Sequence, residues 1–432
     1  MIHTEKPLIG FFPCFSSMGE TVPLVKIAKS YMEVGGKAIF FSHEGKYEYL
    51  AENIGCKVVR LGNLMGDHAD ELISLYKKGV PFEKIAVRQF NNKRTIERAV
   101  KEEIEAFTKS RIDLIMSTFN PTCSISARVL NIPLVVLSSG TFIPPYQKSG
   151  FATFPENYEN FFTRMLPKSL KNRIAKWYFL HNKTLVKEFN NVNTKYQVRP
   201  FKYCNDIYFG DHTLVCDDIN FLGIQPSEDF PLENYIGPII AGDLFEERKN
   251  KIDFDIINHL KRPGKSIVLV MGSASKFDKL LLKIVEILNK SDYNVIAVYP
   301  NPKNKDKLPE TNENILFKEF VPLDEILKKV DLAITHGGRG TIYTIAYSGK
   351  PAICIPILIE HQYNIDNLVR NGCAIRLSWR YFKPRELVRS INKIFDNYDT
   401  YLKNAKKLSE KLQKEDGAEK AVKRLMEIIQ IK

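Results

Sequence analysis

The chain has 432 residues, of which 44% are hydrophobic and 26% charged; it is long enough for two cores, and no apolar run approaches the ~18–20 residues a bilayer crossing needs, which excludes an integral membrane protein. Lys and Arg number 63 against 50 Asp and Glu, a formal charge of +13, which suits a nucleic acid, an anionic membrane surface or a phosphorylated substrate without choosing among them. Cys14, Cys56, Cys123, Cys204, Cys216, Cys354 and Cys373 are scattered and never form a CxxC pair, which argues against a disulfide framework and a zinc site and fits a reducing cytoplasm.

The start, MIHTEKPLIGFFPCF, contains Pro13 and runs into SSMGETVP without a small-residue cleavage site, so it reads as a first strand and not as a signal peptide. LIGFFPCF leads to a helix near 22–34, KAIFFS to one near 45–54, and KVVRL to two longer polar helices between about 68 and 110. IDLIMS then precedes a helix at 122–130, and IPLVVLS follows. This βαβ rhythm predicts a parallel sheet covered on both faces. Residues 141–210 break it with aromatics and lysines and read as inserted helices and loops; HTLVCD resumes it, and NYIGPIIAGD ends it. A second series follows KRPGK, with strands SIVLVMG, YNVIAVYP, NILFKEF, DLAITH, PAICIPI and CAIRLS, and from Pro384 onward the pattern is helical and lysine-rich.

The expected architecture is therefore α/β, two doubly wound Rossmann-like domains facing each other across a cleft. The expected boundaries are 1–240 for an N-terminal domain, 241–262 for a linker, 263–400 for a C-terminal domain, and 401–432 for helices packing back toward the first domain. In such sheets ligands bind outside the carboxyl ends of the strands. ITHGGRGT, residues 334–341, stands at such an end. A strand that stops at glycines and restarts as a helix presents bare N–H groups to one spot, which is a site for an anion.

The stretch HGGRGTIYTIAYSGKPAICIPILIEHQYNIDN, with VLVMGS and FKEFVPLDEILKKVDLAITHGG before it, resembles the donor-binding signature of nucleotide-sugar glycosyltransferases with the two-domain GT-B fold. The resemblance is to family 1, the UDP-glycosyltransferase-like branch that includes macrolide, sterol and glycopeptide enzymes. It implies a nucleoside-diphosphate-sugar donor, most often UDP-linked, held by Ser273, Val321, His336, Gly338, Gly340, Thr341, Glu360, His361 and Gln362. Gly338, Gly340 and Thr341 would offer N–H groups to the diphosphate, His336 a hydrogen bond, Ser273 a contact on its other face, and Val321 a place beside the nucleoside. Glu360 falls where relatives grip sugar hydroxyls; His361 stands where Gln is usual, with Gln362 after it; Asn364 matches a loop-fixing Asn. Arg339 occupies a variable position. No DxD carboxylate pair is placed to hold a metal, and the family generally lacks one, so the resemblance implies neither metal nor cofactor.

The same family places its base in a GHxxP or GDxxP turn after the first strand. Here the residues are GETVP, Gly19 to Pro23, so Glu20 is the expected general base, partly buried beside Phe12 or Phe15 to gain basicity. Thr118 stands where His-bearing relatives carry the acid that orients their base. The aromatic and cationic insertion, with Phe161, Phe162, Met165, Leu166, Trp177, Tyr178 and Phe179 and with Lys168, Lys171, Arg173 and Lys176, has two readings: helices packed onto the domain, or a surface that meets a lipid or small hydrophobic acceptor and touches membrane headgroups peripherally. The expectation is thus a cytoplasmic, inverting, metal-independent hexosyltransferase with no nucleic-acid partner. A UDP-sugar 2-epimerase and a catalytically silent nucleotide-sugar binder are the alternatives.

Overall fold

The computed structural model describes residues 6–64, 88–90, 92–240, 244, 253–272, 278–299, 308–412 and 416–430. Ser273, half of the expected linker and the first of the two polar helices expected after residue 68 lie outside them. The chain divides into two compact units. One comprises Met1–Thr153, Leu166–Leu244 and Glu415–Lys432, the other Phe154–Met165 and Phe245–Lys414.

In the first unit β1 (Leu8–Phe12), β2 (Lys37–Ser42), β3 (Val58–Arg60), β4 (Leu114–Ser117), β5 (Leu134–Ser138) and β6 (His212–Val215) form one sheet in the order β3-β2-β1-β4-β5-β6, parallel throughout. In the second, β7 (Ser266–Val270), β8 (Asn294–Val298), β9 (Ile315–Lys318), β10 (Leu332–Thr335), β11 (Ala352–Cys354) and β12 (Ala374–Arg376) run β12-β11-β10-β7-β8-β9, again all parallel. Each of the twelve apolar runs picked out by the sequence is a strand. Numbered within its own unit, each sheet has the doubly wound order 3-2-1-4-5-6, with a switch point between its first and fourth strands.

The same device sets the register at both switch points. Asp113, just before β4, accepts the N–H of Leu8 at the start of β1 (2.8 Å); Asp331, just before β10, accepts that of Ser266 at the start of β7 (2.8 Å). A carboxylate oxygen takes the place of the missing next strand residue, so Ile9 pairs with Leu114 and Leu332 with Ile267. Strands buried on both faces must be apolar on both, which explains why the sequence shows continuous runs at β4 and β10 and not an alternation.

Packing follows from these faces. Phe12, Phe41 and Ile115 meet Phe107 of the helix Lys93–Ser110, with the Phe41 and Phe107 rings edge-to-face at 4.8 Å, a geometry worth about 0.5–1.5 kcal/mol beyond simple burial. That helix also buries Glu103 completely. Its carboxylate survives there because it is fully engaged: it meets His43 Nε2 at 3.0 Å and accepts from Thr122 and Ser126 at 2.5 Å each. Burial alone would lower the His43 pKa, but the Glu103 hydrogen bond and charge outweigh it and hold it above the ordinary value. In the second unit Leu269, Ile334 and Ile353 pack under the helices Asp278–Leu288 and Pro384–Asp396.

The C-terminal stretch is three helices, Pro384–Asp396, Tyr398–Leu412 and Gly417–Gln430. The first two stay with the second unit, while Gly417–Gln430 packs on the helix Met18–Glu33 of the first. No described helix is long and apolar enough to cross a membrane.

Candidate active site

In a parallel sheet every strand delivers its carboxyl end to the same edge, so in the second unit the loops after β7, β9, β10 and β11 emerge together. At the switch point Gly272 follows β7 with φ +77°, and His336 follows β10. A Cβ on Gly272 would stand 2.8 Å from His336 Cε1, and one on Gly338 would stand 2.9 Å from Nε2. The third side of the ring is His361, edge-on at 4.6 Å and 87°. Two glycines and a second imidazole thus clamp His336, which is 7% exposed. The clamp sets the ring's direction before any ligand arrives, and preorganised groups of this kind are the effective ones.

The turn after His336 is made by glycine for a stated reason. Gly337 has φ +96°, and a Cβ there would lie 2.5 Å from Ile365 Cδ1 and 3.0 Å from the His361 carbonyl oxygen. Its own carbonyl accepts from Asn364 Nδ2 at 3.3 Å, the loop-fixing role expected for that residue. Gly337→Ala is expected to destabilise the second unit by about 2–4 kcal/mol, strain and overpacking together, read as a lowered melting temperature; Gly340→Ala is the control, because nothing lies within 4 Å of a Cβ at Gly340. An unchanged melting temperature for Gly337→Ala would refute this account of the turn.

Gly338 is the N-cap of the helix Arg339–Ser348 and supplies no side-chain cap. The first bond of the helical ladder runs from Ile342 N–H to the Gly338 carbonyl at 2.9 Å, so the N–H groups of Gly340 and Thr341 precede the ladder and point out of the helix end. Gly340 is exposed and Thr341 half-buried. The helix dipole adds partial positive charge at that end. Main-chain donors, a hydroxyl and an imidazole at one strand end can bind a diphosphate.

After β11 the helix Ile359–Arg370 carries Glu360 in its first turn, half-exposed, and buries His361, Gln362 and Asn364. The Gln362 amide reaches the backbone through both of its heavy atoms: its Oε1 accepts from Glu156 N–H at 2.9 Å, and its Nε2 donates to the Phe154 carbonyl at 3.1 Å. Gln362 is therefore a tether. It holds the segment Phe154–Met165 to the second unit, helped by Asn157 donating to the Ile357 carbonyl (2.7 Å), by Trp379 Nε1 donating to Asn157 (3.0 Å), and by Ser378 hydrogen-bonding Glu156. The sequence reading placed this segment in the insertion of the first domain. No local pattern marks a strap whose anchors lie some two hundred residues away.

Val321 precedes the helix Leu323–Lys329 after β9 and is buried, whereas its neighbour Phe320 is 42% exposed. Any contact of Val321 with a nucleoside would be through its backbone, and the aromatic face offered to solvent at this loop is Phe320, which the sequence reading passed over. The signal for it was only its place beside Val321.

In the first unit the helix after β1 starts at Met18, four residues earlier than expected, so GETVP is its first turns and not a separate turn. Glu20 lies half-buried in the first turn. Thr118, at the end of β4, joins the two loops of this switch point: its hydroxyl donates to the Glu20 carbonyl oxygen at 3.3 Å and accepts from Cys14 N–H at 3.4 Å. Burial first, and then the negative charge of Glu20, push the Cys14 thiol up to about 11. The carboxylate is thus close to the carboxyl end of β1, while Phe12 and Phe15 are wholly inside the core.

Residues 267–425 match the glycosyltransferase family 28 C-terminal domain, a span that contains His336, Gly338, Gly340, Thr341, Glu360 and His361. The structure is similar over 98% of its length to the glycotransferase of kitacinnamycin (TM-score 0.69, 18% identity, 99% of that chain). The chain has the GT-B fold. This GT-B chain is likewise similar to the glycosyltransferase VinC in complex with dTDP (TM-score 0.63, 15% identity, 98% of this chain and 100% of that one). Among curated proteins it is 22% identical over 324 residues to human 2-hydroxyacylsphingosine 1-beta-galactosyltransferase, covering 71% of this chain and 57% of that protein. The GT-B chain therefore spans somewhat over half the length of the curated relatives it matches.

Proposed function

We propose that this GT-B chain is an inverting, metal-independent glycosyltransferase that moves a sugar from a nucleoside-diphosphate sugar, UDP-linked, to a hydroxyl of a lipid or small hydrophobic acceptor in the cytoplasm. The observation that carries the reading is the preorganised anion site of the second unit: His336 clamped by Gly272, Gly338 and His361 beside the open helix start at Gly340 and Thr341. The family 28 match over the same residues supports it, as do the dTDP of the VinC structure and the sphingolipid-directed relative.

In this mechanism Glu20 takes the proton of the acceptor hydroxyl as its oxygen attacks the anomeric carbon from the face opposite the diphosphate. The bond from that carbon to the diphosphate oxygen breaks, and the diphosphate leaves with the electron pair. Its growing charge falls on the Gly340 and Thr341 N–H groups, the Thr341 hydroxyl and His336, donors that need not reorganise. Glu360 accepts from sugar hydroxyls, Ser273 touches the far side of the diphosphate, and the Val321 backbone with the Phe320 ring faces the nucleoside. His361 acts through His336, as a positioning residue.

The test is a panel of UDP-, GDP- and dTDP-sugars without added metal, read as thermal stabilisation and slow release of nucleoside diphosphate into water. A ligand at 100 times its Kd stabilises by about 2.7 kcal/mol. Stabilisation by one nucleotide sugar is the expected result. Release of the nucleotide with a changed sugar and no acceptor would instead identify an epimerase, and no response to any of them a silent scaffold.

A further inference from the structure

Between Glu159 and Glu188 the sequence has no acidic residue but seven cations: Arg164, Lys168, Lys171, Arg173, Lys176, Lys183 and Lys187. Within this window lies the helix Lys168–His181, which buries none of its residues. Leu170, Ile174, Trp177, Tyr178 and His181 recur at the spacing that puts them on one face. Their exposures are the reverse of what a core-facing stripe shows: Trp177 is 63% exposed, Tyr178 56%, Ile174 44% and Leu170 41%. The opposite face does the packing. Phe179 stacks on Phe142 at 6.4 Å with planes 7° apart, and its carbonyl accepts from Asn205; it is turned inward, contrary to the reading in which it meets a lipid. The apolar stripe therefore points away from the domain to which the helix is attached.

The stripe is also stiffened. The Trp177 indole stacks on the His181 ring at 5.4 Å, and His181 in turn meets Tyr203 edge-on. Lys171 and Arg173 flank the stripe on either side by helical position. In the other unit, the short helix Phe161–Met165 also buries nothing, and it exposes Phe161, Phe162 and Met165 by 73%, 78% and 74%. Single exposed apolar residues need no explanation, but a rigid outward stripe does.

We propose that this face of Lys168–His181 docks on an anionic phospholipid bilayer, with Trp177, Ile174 and Tyr178 entering the acyl boundary and Lys171 and Arg173 meeting headgroup phosphates. Charge complementarity selects a bilayer over a second copy of the chain, because two copies would bring two wholly cationic segments together. A helix with its apolar face outward, an aromatic at its end and lysine or arginine on both flanks has the features of an interfacial helix. The proposal deepens the lipid-acceptor reading by naming the surface through which such an acceptor is reached. It does not depend on turnover.

The experiment is cosedimentation of the full chain with vesicles of phosphatidylcholine alone or mixed with phosphatidylglycerol, at low and high salt, with Trp177 fluorescence recorded alongside. Binding to the anionic vesicles that weakens with salt is expected, with a blue shift that vanishes in Trp177→Phe. Reversing Lys171 and Arg173 to Glu should lower the partition coefficient by at least about tenfold, since each cation at a charged surface is worth about a factor of five. Ile174→Glu with Trp177→Glu should abolish binding without changing the melting temperature, because neither side chain is buried. No binding to anionic vesicles, or binding indifferent to these substitutions, overturns the proposal. So does a doubled molar mass in solution that Trp177→Glu returns to the monomer value, which would make the stripe an interface between copies.

Discussion

His336→Ala is expected to weaken nucleotide-sugar binding about 10- to 100-fold, the range for losing a hydrogen bond to a charged group, and to lower turnover by about 10²–10³, as for removal of a single preorganised donor to a developing oxyanion. The two losses have one cause. The ring is held by Gly272, Gly338 and His361, so the wild-type site loses little free energy in orienting it. The substitution also leaves a space in the clamp, and a lower melting temperature in the absence of ligand is expected for that reason alone. The informative quantity is therefore the ligand-induced rise in melting temperature, compared with His336→Gln, which retains a side-chain donor and should recover part of it. A ligand-induced rise equal to wild type in His336→Ala would remove the ring from the donor site.

Glu20→Gln separates the other half of the mechanism. Turnover should fall by about 10²–10⁴, the usual contribution of a general base, while stabilisation by the donor sugar stays at the wild-type level because no donor contact is assigned to the first unit. Gln keeps the shape and polarity of the first turn, but it cannot carry away the acceptor proton. If Glu20 served only the helix dipole, the amide would cost a few tenths of a kcal/mol to about 1 kcal/mol of stability and nothing in rate. Unchanged turnover with slightly reduced stability is thus the opposite outcome, and it would leave the base to be found elsewhere.

The sequence was most informative where physics is local. Each strand was legible because a parallel strand covered on both faces must be apolar along its length, as at β4 and β10. HGGRGT was legible because only glycine tolerates φ +96° at Gly337 against Ile365, and because a helix that starts at such a turn leaves its first N–H groups unused. What it did not show depends on partners far away in the chain. Gln362 reads as a polar residue in a donor motif, yet its amide is committed to Phe154 and Glu156. Phe179 reads like Trp177 and Tyr178, and only the stack on Phe142 separates it from them. The start of the helix at Met18 was missed because GETVP reads as a turn of its own, whereas the helix runs through it with Pro23 inside. The equivalence of Asp113 and Asp331 became visible only when the two sheets showed the same strand order.

The central claim is that the strand-end turn from His336 to Thr341 is where the leaving diphosphate is held. The most direct measurement is a crystal structure of the full chain soaked with UDP and, separately, with dTDP. The account predicts diphosphate oxygens within hydrogen-bond distance of the Gly340 and Thr341 N–H groups and of the His336 ring. A nucleotide bound at any other strand end, with that turn unoccupied, would contradict it.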